Sequence, residues 1–395
     1  MLLMKIFYAI LIIVCIIFYI MYLWDFALVL LITVVAVPII LFIAMLIAKH
    51  SISVDFSVKE DTVMKNESFP VLIKIANRSI IPVGRAEAHI EYSNVFSGES
   101  DEFILYLPIQ ARNEQSIVFQ LRSGFCGITN VKCAGIYIYD PLKLFRFRVS
   151  GSNSIKIAVM PESHEISGQV MYTDKVNDES DIFSEHKPGD DPSEIFDLRG
   201  YNPGDKLNRI HWKLSSKKDE FIVKDYSLPI DVPCTVFLDL KCQEGSGFTL
   251  PVFDTLVESL VSISQFMIEN ERIHTVVYYN FKGGSFEEKR ICDADSLTVA
   301  IREMILSLDC TKMCQSAEHY FVEHSNSSLS SMVFITSRPD PAVMGYIDDS
   351  IDADIKNAVV VLSSEKEDIP AAYSGINIIP VVMGKIASSI KDIEV

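Results

Sequence analysis

The chain opens on two long apolar stretches. Ile6 to Trp24 carries no charge, Asp25 interrupts it, and Phe26 to Ala48 is uncharged again. A helix needs about 20 apolar residues to cross the hydrocarbon core of a bilayer, and each stretch is about that long. Tyr8, Tyr22 and Trp24 stand near the ends of the first stretch, where amphipathic rings settle at a membrane interface. Pro38 falls inside the second. Within lipid a proline kinks a helix without abolishing it, because neighbouring groups re-satisfy the freed carbonyl. The turn is so short that the two helices must be antiparallel neighbours. Lys5 precedes the first, Lys49 and His50 follow the second, and only Asp25 marks the turn. The positive-inside bias therefore predicts both ends in the cytoplasm. A cleaved signal peptide is the competing reading. The first stretch is long for that role, lacks a small-residue cleavage site, and is followed at once by the second.

From Ile52 the period changes. Ile52, Val54, Phe56 and Val58 alternate with polar residues, and Val71, Ile73 and Ile75 repeat the pattern. Period two predicts half-buried strands. Further short runs lie at Ala86–Tyr92, Asp101–Leu107, Ser116–Leu121 and Ile136–Tyr139, separated by Asn, Gly, Ser and Pro. Evenly spaced strands with polar turns predict an antiparallel β-sandwich over 51–150. A connecting region follows at 151–231, with a strand at Ile155–Met160 and an acidic loop from Thr173 to Glu185.

Beyond Val232 strands and helices alternate. Strands are expected at Cys234–Leu240, Ile273–Asn280, Met332–Thr336, Ala358–Leu362 and Ile376–Val382. Helices are expected at Pro251–Asn270, Ser296–Leu308 and Ser316–Glu323. Near-continuous apolar strands alternating with helices predict a parallel sheet covered on both faces, an open α/β domain over 232–395. The soluble portion is long enough for two or three domains.

Composition excludes some functions. The net charge is −17, with 35 basic against 52 acidic residues. That balance argues against general nucleic-acid binding, which needs a basic face, and against lying flat on an anionic leaflet. The eight cysteines are scattered without a CxxC, as in a reducing compartment. Cys310 and Cys314 could share a helix face but lack two further zinc ligands. His319 and His324 are five apart, a poor spacing for one helix face.

The stretch His186 to Tyr226 differs from both neighbours, being dense in Asp, Arg, Lys and Gly. It contains Arg199, Tyr201, Gly204 and Asp205, then Arg209, Ile210, Trp212 and Lys213, then Ser215 and Ser216. This order resembles the signature of a bacterial membrane-protein family, domain-of-unknown-function family 58 (DUF58). Gly189-Asp190 upstream and the Phe221–Tyr226 strand with Lys224 fit the same style. A second run, Asp140-Pro141-Leu142-Lys143-Leu144-Phe145, resembles the Asp-Pro-Phe-Gly-Leu-Phe run that closes that family's β region. The departures are Ser216 in place of alanine and Leu198 where tryptophan is frequent. The resemblance covers nearly the whole chain. It implies two spans, a β-sandwich, the signature, and a domain similar to von Willebrand factor A. It also implies partnership with a MoxR-type AAA ATPase in chaperone-like or assembly work.

Two readings of the signature stand side by side. In one, Arg199, Tyr201, Gly204, Asp205, Arg209, Trp212, Lys213 and Ser215 form a binding surface, with the arginines offering bidentate recognition of carboxylate or phosphate. In the other, Arg199 and Arg209 pair with Asp197 and Asp205 above a packed Trp212 and Tyr201, and Gly204 supplies a turn.

The resemblance to von Willebrand factor A also raises the question of a metal. Such domains often bind a divalent cation through an Asp-x-Ser-x-Ser loop of hard oxygen ligands. Here Asp239 is present, but Lys241 and Gln243 replace the serines, and Thr336-Ser337-Arg338 ends a later strand without an acid. The expectation is a degenerate, metal-free site. No Gly-x-Ser-x-Gly elbow or Walker loop occurs, and Lys282-Gly283-Gly284-Ser285 reads as a hairpin turn. Asp190-Asp191 and Asp348-Asp349 are merely adjacent in sequence, which says little about acid–base geometry. The reading is a non-enzymatic, membrane-anchored interaction protein without cofactor. The alternative is an anion- or ligand-binding receptor or enzyme using block 189–224. A cation-dependent adhesion module is a third, which Lys241 disfavours.

Overall fold

The structure, a computed structural model, describes residues 2–22, 24–95, 100–149, 154–169, 183–189, 191–202, 205–229, 234–240, 250–309, 315–324, 329–350, 353–363, 373–391 and 393–394. It forms two compact units, one built on residues 1–162 and the other on most of 163–395.

The first unit begins with helices α1 (Leu2–Tyr22) and α2 (Asp25–Ser51), both long and apolar enough to cross a membrane. Their apolar side chains are mostly exposed, so water cannot be their intended solvent on every face. They pack on each other, and the Tyr8 hydroxyl donates to the Val34 carbonyl at 2.7 Å. Such membrane-length helices are consistent with anchoring.

Strands β1 (Ile52–Val58), β2 (Thr62–Met64), β3 (Ser68–Asn77), β4 (Val83–Asn94), β5 (Asp101–Ile109), β6 (Asn113–Arg122), β7 (Gly127–Tyr139), β8 (Arg146–Val149) and β9 (Ser154–Met160) follow. They make two sheets, β1-β3-β6 and β2-β9-β7-β4-β5, with β8 on β7. Pairing is antiparallel except between β2 and β9. Val71, Ile73 and Ile75 of one sheet and Ala86, Ala88 and Ile90 of the other are fully buried in one shared core. The alternation seen in sequence is the alternation of this β-sandwich's inner and outer faces. Because β9 pairs with β7, the β domain reaches Met160, not 150 as expected. Nor is the anchor separate from it. The last turns of α2 enter the same core through Met45 and Ala48, and β1 starts directly at Ile52.

The second unit contains β10 (Gly168–Gln169), β11 (Phe183–Gly189), β12 (Asp191–Gly200), α3 (Trp212–Lys218), β13 (Ile222–Pro229), β14 (Cys234–Leu238), α4 (Leu250–Glu269), β15 (His274–Asn280), β16 (Ser285–Ile291), α5 (Ala294–Ser307), α6 (Ala317–Glu323), β17 (Leu329–Thr336), α7 (Pro341–Ser350), β18 (Ala353–Leu362), β19 (Asn377–Val382), α8 (Ile386–Ser389) and β20 (Ile393–Glu394). The main sheet runs β16-β15-β14-β17-β18-β19, parallel except for the β16 edge. Cys234 and Phe237 lie on opposite faces of β14. The Cys234 sulfur meets Met267 of α4 at 3.9 Å, while Phe237 packs on Phe321 of α6. Helices therefore cover both faces, which is why β14 is buried along its whole length. Lys282 to Gly284 form the turn of the β15–β16 hairpin, with Gly284 at φ 73°.

Candidate functional site

The signature block folds around a small antiparallel sheet, β11-β13-β12. Sequence alone missed β11 and β12, and the acidic loop expected to reach Glu185 gives way to β11 at Phe183. Residues 173–182 of that loop lie outside the described residues.

Register decides what Arg199 touches. Arg199 pairs with Val223 across the sheet, so Asp225 is its diagonal neighbour on the same face. The Arg199 Nε donates to Asp225 at 2.8 Å. Its two terminal nitrogens donate to both oxygens of Asp205 at 2.8 and 2.9 Å. Asp205 also accepts from the Asn202 amide at 2.7 Å, closing the turn after β12. Asp197, an expected partner, instead accepts from the Leu198 amide at 2.7 Å. Asp197 faces Asp225 directly in register, a like-charge pair that costs stability unless neutralised. Arg199 supplies that neutralisation.

The fork holds the Asp205 carboxyl down at about 2, helped by the Asn202 amide, and raises the Arg199 guanidinium further above its already high range. A carboxylate depressed in the fold contributes stability that is present above its ordinary 3.8 and lost as pH falls through about 2. Protection of the Asn202 and Asp205 amides from hydrogen exchange, measured against the intrinsic rate at each pH, is therefore expected to fall below pH 3.8. Arg199→Ala should produce the same loosening at neutral pH. Unchanged exchange in that variant would mean the fork does not hold the turn.

The rest of the block is built on β13. The Tyr201 amide donates to the Phe221 carbonyl and the His211 amide to the Ile222 carbonyl, both at 2.8 Å. Ile210 bridges Val223. The Ser215 hydroxyl, buried, accepts from the Ile222 amide at 2.9 Å and ties α3 to the strand. Helix α3 starts with the His211 ring accepting from the Leu214 amide and ends at Asp219 in the left-handed region, φ 53°. Arg209 is half-buried and has partners of its own. Gly204 lies outside the described residues.

Trp212 does not pack beneath this network. It is 61% exposed and meets Phe221, itself 57% exposed, edge to face at 6.2 Å. Tyr201 also meets the Phe221 ring edge to face, at 6.2 Å. Lys213, Lys217 and Lys218 are exposed on the adjoining helix. Charged residues thus satisfy one another inside the block, and the aromatic edge is what faces solvent. Neither feature was readable from spacing, because Phe221 and Asp225 lie far along the chain from their partners.

The second candidate lies at the end of β14. Chain order reverses between β14 and β17, and the carboxyl ends of the strands at such a switch point are the usual ligand position in open α/β sheets. Asp239 is buried there and accepts from the Thr336 hydroxyl at 3.0 Å, which in turn accepts from the Arg338 amide at 3.1 Å. Lys241, Cys242, Gln243, Cys310 and Cys314 lie outside the described residues. Among the described residues no three His, Cys, Asp or Glu side chains gather as a metal site.

No protein-family model matches the chain, and no curated protein matches it. Solved structures do align, over about a quarter of it. They include the CARDB domain of the PF1109 protein from Pyrococcus furiosus, at 12% identity over 27% of this chain and 91% of that one, TM-score 0.21. A cohesin module of a family 33 glycoside hydrolase from Clostridium perfringens aligns at 14% identity over 28% and 98%, TM-score 0.23. A β-glucosidase from Listeria innocua aligns at 15% identity over 27% and 16%, TM-score 0.21.

Proposed function

We propose that this is a non-enzymatic, membrane-anchored interaction protein of the kind its signature resembles, domain-of-unknown-function family 58. Its partner on this reading is a MoxR-type AAA ATPase. The single observation that carries it is the division of labour in the signature block. Arg199 spends its whole fork on Asp205 and Asp225, while Trp212, Phe221 and Lys213 stand out in solvent. An exposed Trp against an exposed Phe is the aromatic composition enriched at protein-binding interfaces. The α/β unit is read as von Willebrand factor A-like, with Asp239 as the remnant of a metal loop and the switch point working without a cation.

On this reading both soluble units lie in the cytoplasm, which the positive charges of Lys5, Lys49 and His50 beside the spans favour. A single exposed cysteine placed in the α1–α2 turn should react with a membrane-impermeant thiol reagent added to intact cells, and Cys292 should not. Labelling of Cys292 from outside would reverse the orientation.

The receptor or enzyme alternative needs Arg199, Arg209 and Lys213 to converge on an anion, and the paired fork of Arg199 does not favour it. The test is co-purification from native membranes. The full chain should retain the host's MoxR-type ATPase when ATP is present and release it when ATP is withdrawn. No retention under either condition contradicts the partner reading.

A further inference from the structure

The anchor and the sandwich are joined by more than a chain connection. Phe42 of α2 packs its ring on Phe145 and Phe147, at 5.1 and 5.4 Å. These two rings flank the start of β8, just after the turn that joins it to β7. The turn is firmly made. The buried Asp140 carboxylate accepts from the Leu142 amide at 3.0 Å and the Phe145 amide at 2.6 Å, and the Asp140 carbonyl accepts from Lys143 at 3.0 Å. The Asp-Pro-Leu-Lys-Leu-Phe run is thus the device that fixes Phe145 against α2.

Span length places this contact in depth. Lys5 and Phe42 stand equally far along their helices from the α1–α2 turn, about 17 residues or about 26 Å at the rise of an α-helix. The hydrocarbon core is about 30 Å thick. With the turn at the far face, Phe42 lies within a few ångströms of the near boundary, and Lys5, at the same depth on α1, reaches the headgroups. Phe145 and Phe147 share that level. On either side of Phe145, Lys143 and Arg146 are exposed, and no acid occurs between Pro141 and Val149. Arg146 lies over the Tyr137 ring at 3.6 Å, and its charge reaches Glu87. A chain of net charge −17 held at an anionic leaflet is repelled by it. Cations at the point of contact offset that repulsion within a Debye length.

We propose that the β7–β8 turn is a membrane-contact foot, in which Lys143 and Arg146 bind anionic phospholipid headgroups. This rests on the membrane reading above, and the experiment separates the two. The chain has two tryptophans, Trp24 and Trp212. With both replaced by phenylalanine, single tryptophans are placed by Leu142→Trp in the foot, Ile39→Trp in the span, and Tyr92→Trp at the far end of β4. The full chain is reconstituted in nanodiscs containing phosphatidylglycerol and phosphatidylcholine, one or the other brominated. Leu142→Trp should be quenched at least about twofold more by brominated phosphatidylglycerol than by brominated phosphatidylcholine. Lys143→Gln with Arg146→Gln should remove that preference, and Tyr92→Trp should be quenched by neither. Ile39→Trp quenched while Leu142→Trp is not would overturn the foot and leave the anchor standing. Equal quenching of Leu142→Trp by both lipids would overturn headgroup binding. Protection of Leu142→Trp from acrylamide without lipid quenching would assign the turn to a protein contact, also against the proposal. Failure of Ile39→Trp to be quenched would remove the membrane reading itself.

Discussion

Phe237→Ala is expected to destabilise the α/β unit by about 3–5 kcal/mol, the range for emptying an aromatic site in a packed core. Phe237 is fully buried at the centre of β14. Its ring meets Phe286, Tyr320, Phe321 and Phe334 at 5.0 to 5.6 Å. Those rings come from a hairpin strand, a helix and a neighbouring parallel strand, each held by its own backbone pairing. They cannot close over the void without breaking that pairing, so the cavity term adds to the lost transfer energy. Phe237→Leu keeps most of the volume and should cost less than about 1.5 kcal/mol. Urea unfolding followed by hydrogen exchange at the β14 amides measures both. A loss below about 1 kcal/mol for the alanine variant would mean the aromatic cluster is not the core of this unit.

Acid is expected to weaken the same unit well above the range where carboxylates titrate. His274 is buried at the start of β15, and burial pushes its imidazole down to about 4. Its Nδ1 donates to the Arg272 carbonyl at 3.2 Å, which opposes the shift, while the nearby Arg272 charge adds to it. Above pH 6.5 the ring is neutral in both folded and unfolded chains, and the stability is whole. As pH falls from 6.5 towards 4, the unfolded chain takes up a proton that the folded chain refuses. Stability therefore falls with pH across that window, by on the order of 3 kcal/mol from this one group. His274→Val should flatten the dependence between pH 6.5 and 4.5. The Asp205 window lies lower, from 3.8 towards 2, so the two are separable. An unchanged slope in the variant would show that His274 titrates in the fold.

Much of the architecture was legible because burial imposes a period. Ile52 to Val58 alternates because one face of β1 is core. Cys234 to Leu238 is apolar throughout because helices cover both faces. The edge strand β16 gave no such period and was implied only by the hairpin turn at Lys282-Gly283-Gly284-Ser285, and helix α7, short and carrying Asp348-Asp349, was missed. The site was less legible still. Mixed charges at Arg199, Asp205 and Arg209 suggested mutual satisfaction, and Asp205 does pair with Arg199, yet the second partner was Asp225, 26 residues away, and not Asp197. That choice is made by strand register, which no local pattern encodes. Trp212 looked like a buried anchor because single tryptophans usually are. It is exposed all the same, although Ser215 one turn further along the same helix is buried against β13.

The exposed aromatic edge is where the functional reading is most directly tested. The measurement is the affinity of the MoxR-type ATPase, with ATP, for the full chain in nanodiscs, comparing wild type with Trp212→Ala plus Phe221→Ala. Surface positions so exposed should cost less than about 1 kcal/mol of fold stability. If they form a binding hot spot, losing them costs at least about 2 kcal/mol of affinity, a weakening of about 30-fold. That result, with the fold intact, is what the account predicts. Equal affinity for wild type and variant would contradict it.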